Sequence, residues 1–441
     1  MRRDGLDAYA GDYRGAGATP IGRLSRRTAL LGGTERAGYY PGMNPLPPVD
    51  ETPIYRLHWR IPALGIAQII AWGSLYYAIA VLAAPMGDAL QLSKAWIFGG
   101  FTVALLVSGA LTPWAGRRID RDGGRSTLAF SALAGGLAFA LLSSAQGPWS
   151  YLLAWMVAGC AMGFGLYDAV MAVLNRLAPG ARYRRAVTAL TLFGGFASTV
   201  FWPLSHFLVT NTDWRMTCQI YALLLWGLCL PLYLLAIPRL VPAPIAPRAA
   251  DAPAPPARSQ RRFAALAAAF ALVSFAFSVL SAHLIDLLGD AGISSSDAIL
   301  IGAAFGPMQV AARVVEYVFA PHLRAVTVGR IAFVLMAAAL LTLSAVDGQR
   351  WLAFGFALLY GASNGILTIV RGTVPAELFG REAYGALLGE LARPSFVAKS
   401  VAPLLFALML SLGVSHDSAM LGLAAVGALA LIAYELARYR A

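Results

Sequence analysis

The chain has 441 residues, of which 59% are apolar and only 13% are charged, and its formal net charge is +12. Its mean hydropathy of +0.66 lies far from that of water-soluble proteins, in which about 25% of residues are charged, so we predict a membrane protein. The cysteines, Cys160, Cys218 and Cys229, lie singly within apolar runs. Their spacing predicts neither a disulfide framework nor a metal site.

Residues 1–57 are polar, rich in glycine, proline and arginine, and show no helical or strand periodicity. We predict that they form a disordered cytoplasmic tail. The segment SRRTALLGG at 25–33 matches the twin-arginine pattern of an export signal, but no apolar core follows it. We therefore interpret it as a chance match or as part of an overextended start.

Twelve apolar segments follow the tail, each long enough to cross about 30 Å of hydrocarbon. We number them spans 1 to 12, and they cover residues 62–84, 95–114, 127–145, 149–174, 186–209, 217–237, 264–285, 297–319, 328–346, 350–370, 384–411 and 418–436. The predicted fold class is an all-α membrane protein with twelve transmembrane helices.

Basic residues are concentrated in the connections that follow even-numbered spans. Examples are Arg117, Arg118, Arg121 and Arg125 after span 2, Arg176, Arg182, Arg184 and Arg185 after span 4, and Arg371 and Arg381 after span 10. The connection at 286–297 holds three aspartates and no Lys or Arg. Short cytoplasmic loops collect Lys and Arg, so we predict cytoplasmic termini and a bacterial-type inner membrane. The net charge then reflects topology and an anionic leaflet and requires no nucleic-acid partner.

The twelve spans divide into two halves of nearly equal length. We predict a six-helix bundle at 58–238, a Pro/Ala-rich cytoplasmic linker at 239–262 and a second six-helix bundle at 263–441. Two such halves joined by a long linker resemble the layout of the major facilitator transporters.

The connection between spans 2 and 3 carries a more specific pattern. It reads GRRIDRDGGR and resembles the major facilitator signature G-x-x-x-D-R-x-G-x-[RK], with the matching residues Gly116, Asp120, Arg121, Gly123 and Arg125. Glycines permit a tight turn, and the Asp120 carboxylate can lie against a helix N-terminus in one conformation and leave it in another. We predict that these residues act in gating.

The resemblance implies that spans 1, 4, 7 and 10 face a central path. Polar and aromatic side chains recur on one face of several of these spans, which makes them candidate substrate-binding residues. They are Gln68, Trp72, Tyr76 and Tyr77 in span 1 and Tyr360 and Asn364 in span 10, and span 7 carries a similar row of serines, Ser274, Ser278 and Ser281. For any single one of them, a hydrogen bond to a neighbouring helix explains the pattern equally well.

Charged residues inside the spans are more informative, because each costs about 2.5 to 3.5 kcal/mol near the bilayer centre even on the lenient insertion scale. Arg313 lies on one face of span 8 with Gln309 and Glu316, at helical spacings of four and three. Lys399 lies near the middle of span 11 without an acidic residue within four positions, and Asp168 lies in span 4. These charges predict a path or an ion-pair partner.

Arg313 and Lys399 match two positions of the oxalate/formate antiporter and monocarboxylate transporter branch, which the chain resembles. In that branch an Arg of span 8 and, in the oxalate type, a Lys of span 11 bind the organic anion. Arg313 could instead serve only as the partner of Glu316. If Glu316 neutralises Arg313, Lys399 remains the single uncompensated cation, which favours a substrate with one carboxylate.

These observations predict a secondary transporter of a small organic anion, a monocarboxylate by preference, that works by alternating access of the two bundles. We expect proton coupling, with Asp168 as candidate carrier and Glu316 in coupling or gating. An exporter of uncharged or cationic compounds on the same fold is the alternative. No catalytic cluster, nucleophile elbow or phosphate loop indicates an enzyme, and we expect no cofactor, no metal and a monomer in the lipid bilayer.

Overall fold

A computed structural model describes residues 59–178, 182–239 and 259–439. The predicted tail at 1–57 lies outside the described residues, as does nearly all of the predicted linker at 239–262. The disorder of the tail and the domain boundaries therefore stay predictions.

The described residues form helices in the order that the twelve predicted segments require. Span 1 comprises Arg60–Trp72, Gly73–Tyr77 and Ile79–Leu90, span 2 Lys94–Asp122, span 3 Arg125–Ser143, span 4 Pro148–Gly165 and Tyr167–Leu177, span 5 Arg182–Gly195 and Ala197–Asn211, and span 6 Trp214–Leu224, Leu225–Cys229 and Leu230–Ala236. Spans 7 to 12 are Gln260–Asp290, Ser295–Phe319, Ala325–Leu343, Arg350–Phe379, Tyr384–Ser411 and His416–Arg438. Eleven spans are long and apolar enough to cross a membrane, and the bent pair of span 1 makes the twelfth. The predicted all-α fold is confirmed.

Several helices extend beyond the apolar stretch that predicted them. Span 2 continues to Asp122 rather than ending at 114, and span 10 continues to Phe379 rather than ending at 370. An apolar count measures the hydrocarbon crossing only, whereas the polar residues that follow remain helical outside it. These extensions carry charged side chains to one end of the bundle.

Spans 1, 4, 5 and 6 are interrupted near their middle, and the interruptions in spans 1 and 4 lie next to each other. Span 1 has π-helical geometry over Gly73–Tyr77, and its two parts bend by 41°. Span 4 breaks at Leu166, whose backbone is extended, and the break leaves the Gly165 carbonyl without a helical partner. The Gln68 side chain of span 1 donates a 2.8 Å hydrogen bond to that carbonyl. A buried irregular backbone at membrane depth requires such a partner.

The two halves meet at one end of the molecule, which we call the basic face. It carries the connections that follow even-numbered spans. There span 2 packs along span 11, and span 5 packs on spans 8 and 10. Gly116 and Gly385 allow the closest approach, since a Cβ on Gly116 would lie 1.9 Å from the Gly385 carbonyl oxygen. Two segments lie away from the basic face and pack mainly within the N-terminal half, namely Ile79–Leu90 and Ala197–Asn211.

Candidate functional site

Aromatic side chains occupy the middle of span 1. The Trp72 ring lies 5.1 Å from Tyr76, 6.1 Å from Tyr77 and 4.8 Å from Tyr167 of span 4, measured between ring centroids. The π-helical turn widens the spacing from four to five residues, so both tyrosines lie beside Trp72. We call these four residues the aromatic cluster.

Lys399 of span 11 lies against this cluster. Its Nζ atom is 5.9 Å from the Tyr76 ring centroid, 5.6 Å from Phe277 of span 7 and 5.9 Å from Phe396. Within the described ranges no carboxylate forms a salt bridge with Lys399. Aromatic faces attract a cation but leave its charge uncompensated, so the ammonium remains available to an anion.

Arg313 of span 8 is 3% exposed and joins the two halves. Its Nη1 donates to the Thr191 carbonyl of span 5 at 2.9 Å, and its Nε donates to the Gly365 carbonyl of span 10 at 3.2 Å. The remaining nitrogen, Nη2, donates to Thr368 and Gln309 at 3.3 and 3.5 Å. These acceptors are all neutral, so the guanidinium keeps its net charge while its N–H groups are engaged.

Glycine in span 5 makes this position of Arg313 possible. A Cβ on Gly195 would lie 2.2 Å from Arg313 Nη1, and a Cβ on Gly194 would lie 2.1 Å from the Tyr167 hydroxyl. This glycine pair thus admits a guanidinium from span 8 and a phenol from span 4. Because Gly194 and Gly195 are consecutive residues, Arg313 and Tyr167 of the aromatic cluster lie against adjacent positions of span 5.

Glu316 is bonded to Arg184 of span 5, not to Arg313. Arg184 Nη2 donates to Glu316 Oε1 at 2.5 Å, and Thr188 Oγ1 donates to the other carboxylate oxygen at 3.1 Å. Arg184 also donates to the carbonyls of Ala320 and Leu323. The premise that Glu316 neutralises Arg313 is therefore wrong, because the acid faces across the interface to a residue 132 positions away.

Asp168 also pairs across the interface. Arg371 of span 10 donates to its two carboxylate oxygens, Nε at 2.9 Å and Nη2 at 3.4 Å. The Phe396 ring lies near both this pair and Lys399, with Arg371 Cζ at 6.0 Å and Lys399 Nζ at 5.9 Å from its centroid. Arg371 thus engages both carboxylate oxygens of Asp168, so this acid is held at the interface between the halves.

The loop signature lies at the basic face. The Asp120 carboxylate accepts hydrogen bonds from the backbone N–H groups of Gly385 and Ala386, both at 2.8 Å, at the first turn of span 11. This arrangement satisfies two free helix N–H groups and complements the helix dipole. Arg176 donates to the Asp120 carbonyl, which ties span 4 to the same point.

The other signature residues hold the turn between spans 2 and 3. Gly123 has a φ of 87° and ends span 2 in the left-handed region. Arg125 donates to the Ile237 carbonyl at the end of span 6 at 3.1 Å, whereas Arg121 donates to the neighbouring Asp122 at 2.9 Å. Their predicted roles in gating stay predictions.

Three predicted binding residues are placed differently from Trp72. Gln68 is 0% exposed and donates to Gly165 and Tyr233, so it supports the break in span 4 rather than facing a path. Tyr360 is 2% exposed and packs on Phe305 at 4.7 Å. The Asn364 side chain is half-buried, and within the described residues its amide makes no hydrogen bond.

Sequence reasoning missed the partners of the buried acids. Arg184 and Arg371 were counted only as topological charges of loops, yet the structure places both within helices and pairs them with Glu316 and Asp168. Phe277 and Trp202 were not singled out either. Trp202 lies 6.1 Å from Tyr77 and lines a cavity of about 700 Å³ with Ala80, Val81, Thr199, Pro203 and His206.

Comparison with known proteins identifies the family. The model of the Major Facilitator Superfamily matches residues 64–392. The chain belongs to this superfamily. It is a major facilitator transporter, as its loop signature implied. A search of curated proteins found no match.

Solved structures of major facilitators share the fold. The human organic anion transporter MFSD10 (TETRAN) is 16% identical with a TM-score of 0.65, covering 87% of this chain and 99% of that one. The transporter FucP in its outward conformation is 14% identical with a TM-score of 0.67, covering 87% and 100%. The proton:xylose symporter XylE bound to 6-bromo-6-deoxy-D-glucose is 14% identical with a TM-score of 0.64, covering 86% and 95%. Identities this low support a shared fold only, so the substrate has to be inferred from the residues of the site.

Proposed function

We propose that the protein transports a small organic anion with one carboxylate, by alternating access of its two six-helix halves. The observation that carries this proposal is Lys399. Its ammonium lies among three aromatic rings, and no carboxylate in the described part of the chain pairs with it. An unpaired intramembrane cation is costly and usually faces a path or a partner, and a substrate carboxylate supplies that partner.

The preference for one carboxylate first rested on the assumption that Glu316 neutralises Arg313. It now rests on geometry. Arg313 is not neutralised by Glu316, but its N–H groups are engaged by carbonyl and side-chain oxygens of spans 5, 8 and 10. In this conformation Lys399 is thus the cation that is open to an anion. One ammonium matches one carboxylate.

Arg313 takes part in the opposite conformation under this proposal. Its bond to Thr191 crosses from one half to the other and breaks when the halves separate at the basic face. The guanidinium then has free N–H groups beside the aromatic cluster, and a guanidinium binds a carboxylate in a bidentate manner. The anion passes from a site led by Lys399 to one that also includes Arg313.

Protons are the proposed coupling ion, with Asp168 as the carrier. Protonation of Asp168 would remove its charge-assisted bonds to Arg371 and weaken the contact between the halves. XylE is named a proton symporter and MFSD10 an organic anion transporter. These names are compatible with either substrate class, so the choice rests on Lys399.

The proposed orientation places the basic face and both termini in the cytoplasm of a bacterial-type cell. Because the two halves pack against each other at the basic face, the present conformation is then closed to the cytoplasm and faces outward. FucP, one of the similar structures, is described in its outward conformation.

A panel of labelled carboxylates in proteoliposomes, with and without a pH gradient, tests the proposal. We expect uptake of at least one monocarboxylate, acceleration by the gradient, and loss of that uptake in Lys399→Gln. Lys399→Arg should retain part of the uptake because the charge remains. Transport of uncharged or cationic compounds that survives Lys399→Gln would instead establish the drug-type exporter.

A further inference from the structure

We infer that the carboxylate of the substrate is attached to an aromatic or similarly bulky apolar body. This inference rests on the proposed function, since it takes the anion site at Lys399 as its starting point. It goes further by using the wall of that site, which specifies what the rest of the substrate contacts.

Aromatic rings from four spans surround the ammonium. Tyr76, Phe277 and Phe396 approach Lys399 directly. Trp72 and Phe101 lie behind Tyr76, with ring centroids 5.1 and 5.3 Å from it. The wall around the cation is thus built largely from aromatic rings.

Several of these rings are incompletely packed. Trp72, Tyr76 and Phe277 are half-buried, unlike Phe356 and Tyr434, which are fully buried in the C-terminal half. An apolar ligand surface placed against half-buried rings removes that surface from water, and ring pairs in offset or edge contact add to the gain. A two-carbon anion such as acetate covers little of the exposed ring surface.

Polar groups for a second charged substituent are scarce. The nearby ion pair of Asp168 and Arg371 is already mutually bonded, and Arg371 Cζ lies 6.0 Å from the Phe396 ring centroid. The Trp72 indole N–H is buried and has no hydrogen-bond partner among the described residues. In this conformation Arg313 and Arg371 are engaged by other groups, whereas Lys399 has no carboxylate partner among the described residues. This suits a single carboxylate on an apolar body and disfavours a small dicarboxylate.

The cavity beside the cluster is open, and most of the side chains that line it, including Trp202 and His206, are exposed. Trp202 connects the cavity to the cluster through its 6.1 Å contact with Tyr77. An aromatic acid approaching from this side meets ring surfaces along its path to Lys399.

Binding to purified protein in nanodiscs tests this inference, because protonated weak acids cross membranes unaided and confuse flux assays. Four ligands separate charge from body: phenylacetate, phenylacetamide, acetate and acetamide, with empty nanodiscs as the blank. Isothermal titration calorimetry should show phenylacetate binding at least about tenfold tighter than acetate, the order expected for apolar groups in a matching pocket. Phenylacetate should also bind more tightly than phenylacetamide.

Two variants assign the effect to the wall. Phe277→Leu should lower the affinity for phenylacetate several-fold and leave the weaker affinity for acetate unchanged. Phe275→Leu is the matched control, because Phe275 lies on the same span but is not among the rings that approach Lys399. Unfolding temperatures of both variants report whether either one is misfolded.

The outcomes separate this inference from the function beneath it. If acetate and phenylacetate bind with equal affinity, and each binds more tightly than its amide, the anion site is supported and the inference of an aromatic body is refuted. If neither acid binds more tightly than its amide, the proposed function is refuted. If phenylacetate is preferred but Phe275→Leu weakens it as much as Phe277→Leu does, the assigned wall is wrong.

Discussion

The Arg184–Glu316 pair connects the two halves and permits a quantitative test of the alternating-access interpretation. The Glu316 side chain is 4% exposed and the Arg184 side chain 19%. Replacing Arg184 by Gln leaves a buried carboxylate with Thr188 as its remaining side-chain donor. Removing one partner of a buried pair costs about 3 to 5 kcal/mol, and the partial exposure of Arg184 places this pair at the lower end.

That cost applies only while the halves are in contact. When they separate at the basic face, water reaches Glu316 and the penalty is relieved, so the variant shifts toward the opposite conformation rather than unfolding. About 3 kcal/mol corresponds to roughly a hundredfold change in the equilibrium, at about 1.4 kcal/mol per factor of ten. The double variant Arg184→Gln, Glu316→Gln should show a smaller shift than Arg184→Gln alone, because it leaves no buried charge.

Distances between spin labels measure the shift. Labels at Arg117 and Glu382, both exposed at the basic face, report separation of the halves in a background without the native cysteines. The control is Arg324→Gln, which removes a more exposed pair with Glu377, 69% and 25% exposed, inside the C-terminal half. Surface pairs contribute about 1 kcal/mol or less, so its distance distribution should match the parent.

Two results would refute the reasoning. Arg184→Gln could leave the distance distribution unchanged, which would show that the pair does not hold the halves together. Alternatively, the double variant could shift as far as Arg184→Gln, which would show that the buried charge is not the cause.

Three further changes test other parts of the molecule. Asp120→Asn should leave insertion intact but slow transport in vesicles by about tenfold, since it loses charge-assisted bonds at the start of span 11. An unchanged rate would contradict a gating role. A cysteine at Asp290 should react only with a reagent added from the periplasmic side, and cytoplasmic labelling would invert the proposed orientation. Gly195→Ala should destabilise the protein by about 1 to 3 kcal/mol in thermal unfolding because the new Cβ displaces Arg313, whereas Gly355→Ala, with open space around it, should be neutral or slightly stabilising.

The fold was predictable from the sequence because the thickness of the membrane sets the length of each spanning helix. A run of about twenty apolar residues has few alternatives to a spanning helix, and the GRRIDRDGGR loop resembles the signature of the superfamily to which the chain belongs. Lys399 was likewise conspicuous in the sequence, since an isolated charge in an apolar run is rare.

The pairing of the charges was not predictable from the sequence. Helical spacing places Arg313 and Glu316 near each other, but three residues along a helix is only one of many possible proximities. The structure gives each a partner in another helix, Thr191 and Arg184 in span 5. Gln68 was misinterpreted for a related reason, because the break in span 4 that it supports leaves little trace in an apolar sequence.

Lys399 and Arg313 therefore differ in how far their contacts depend on the conformation of the two halves. Lys399 is bordered by rings that persist whichever way the halves rock, since two of the three, Phe277 and Phe396, belong to its own half. Arg313 is bonded across the interface to Thr191 and within its own half to Gly365, so only the first bond depends on conformation. An anion that first binds Lys399 meets a second, partly freed cation only after the halves separate at the basic face. If the anion gains that contact in the opposite conformation, its binding favours the transition, and the protein couples occupancy to movement through Arg313.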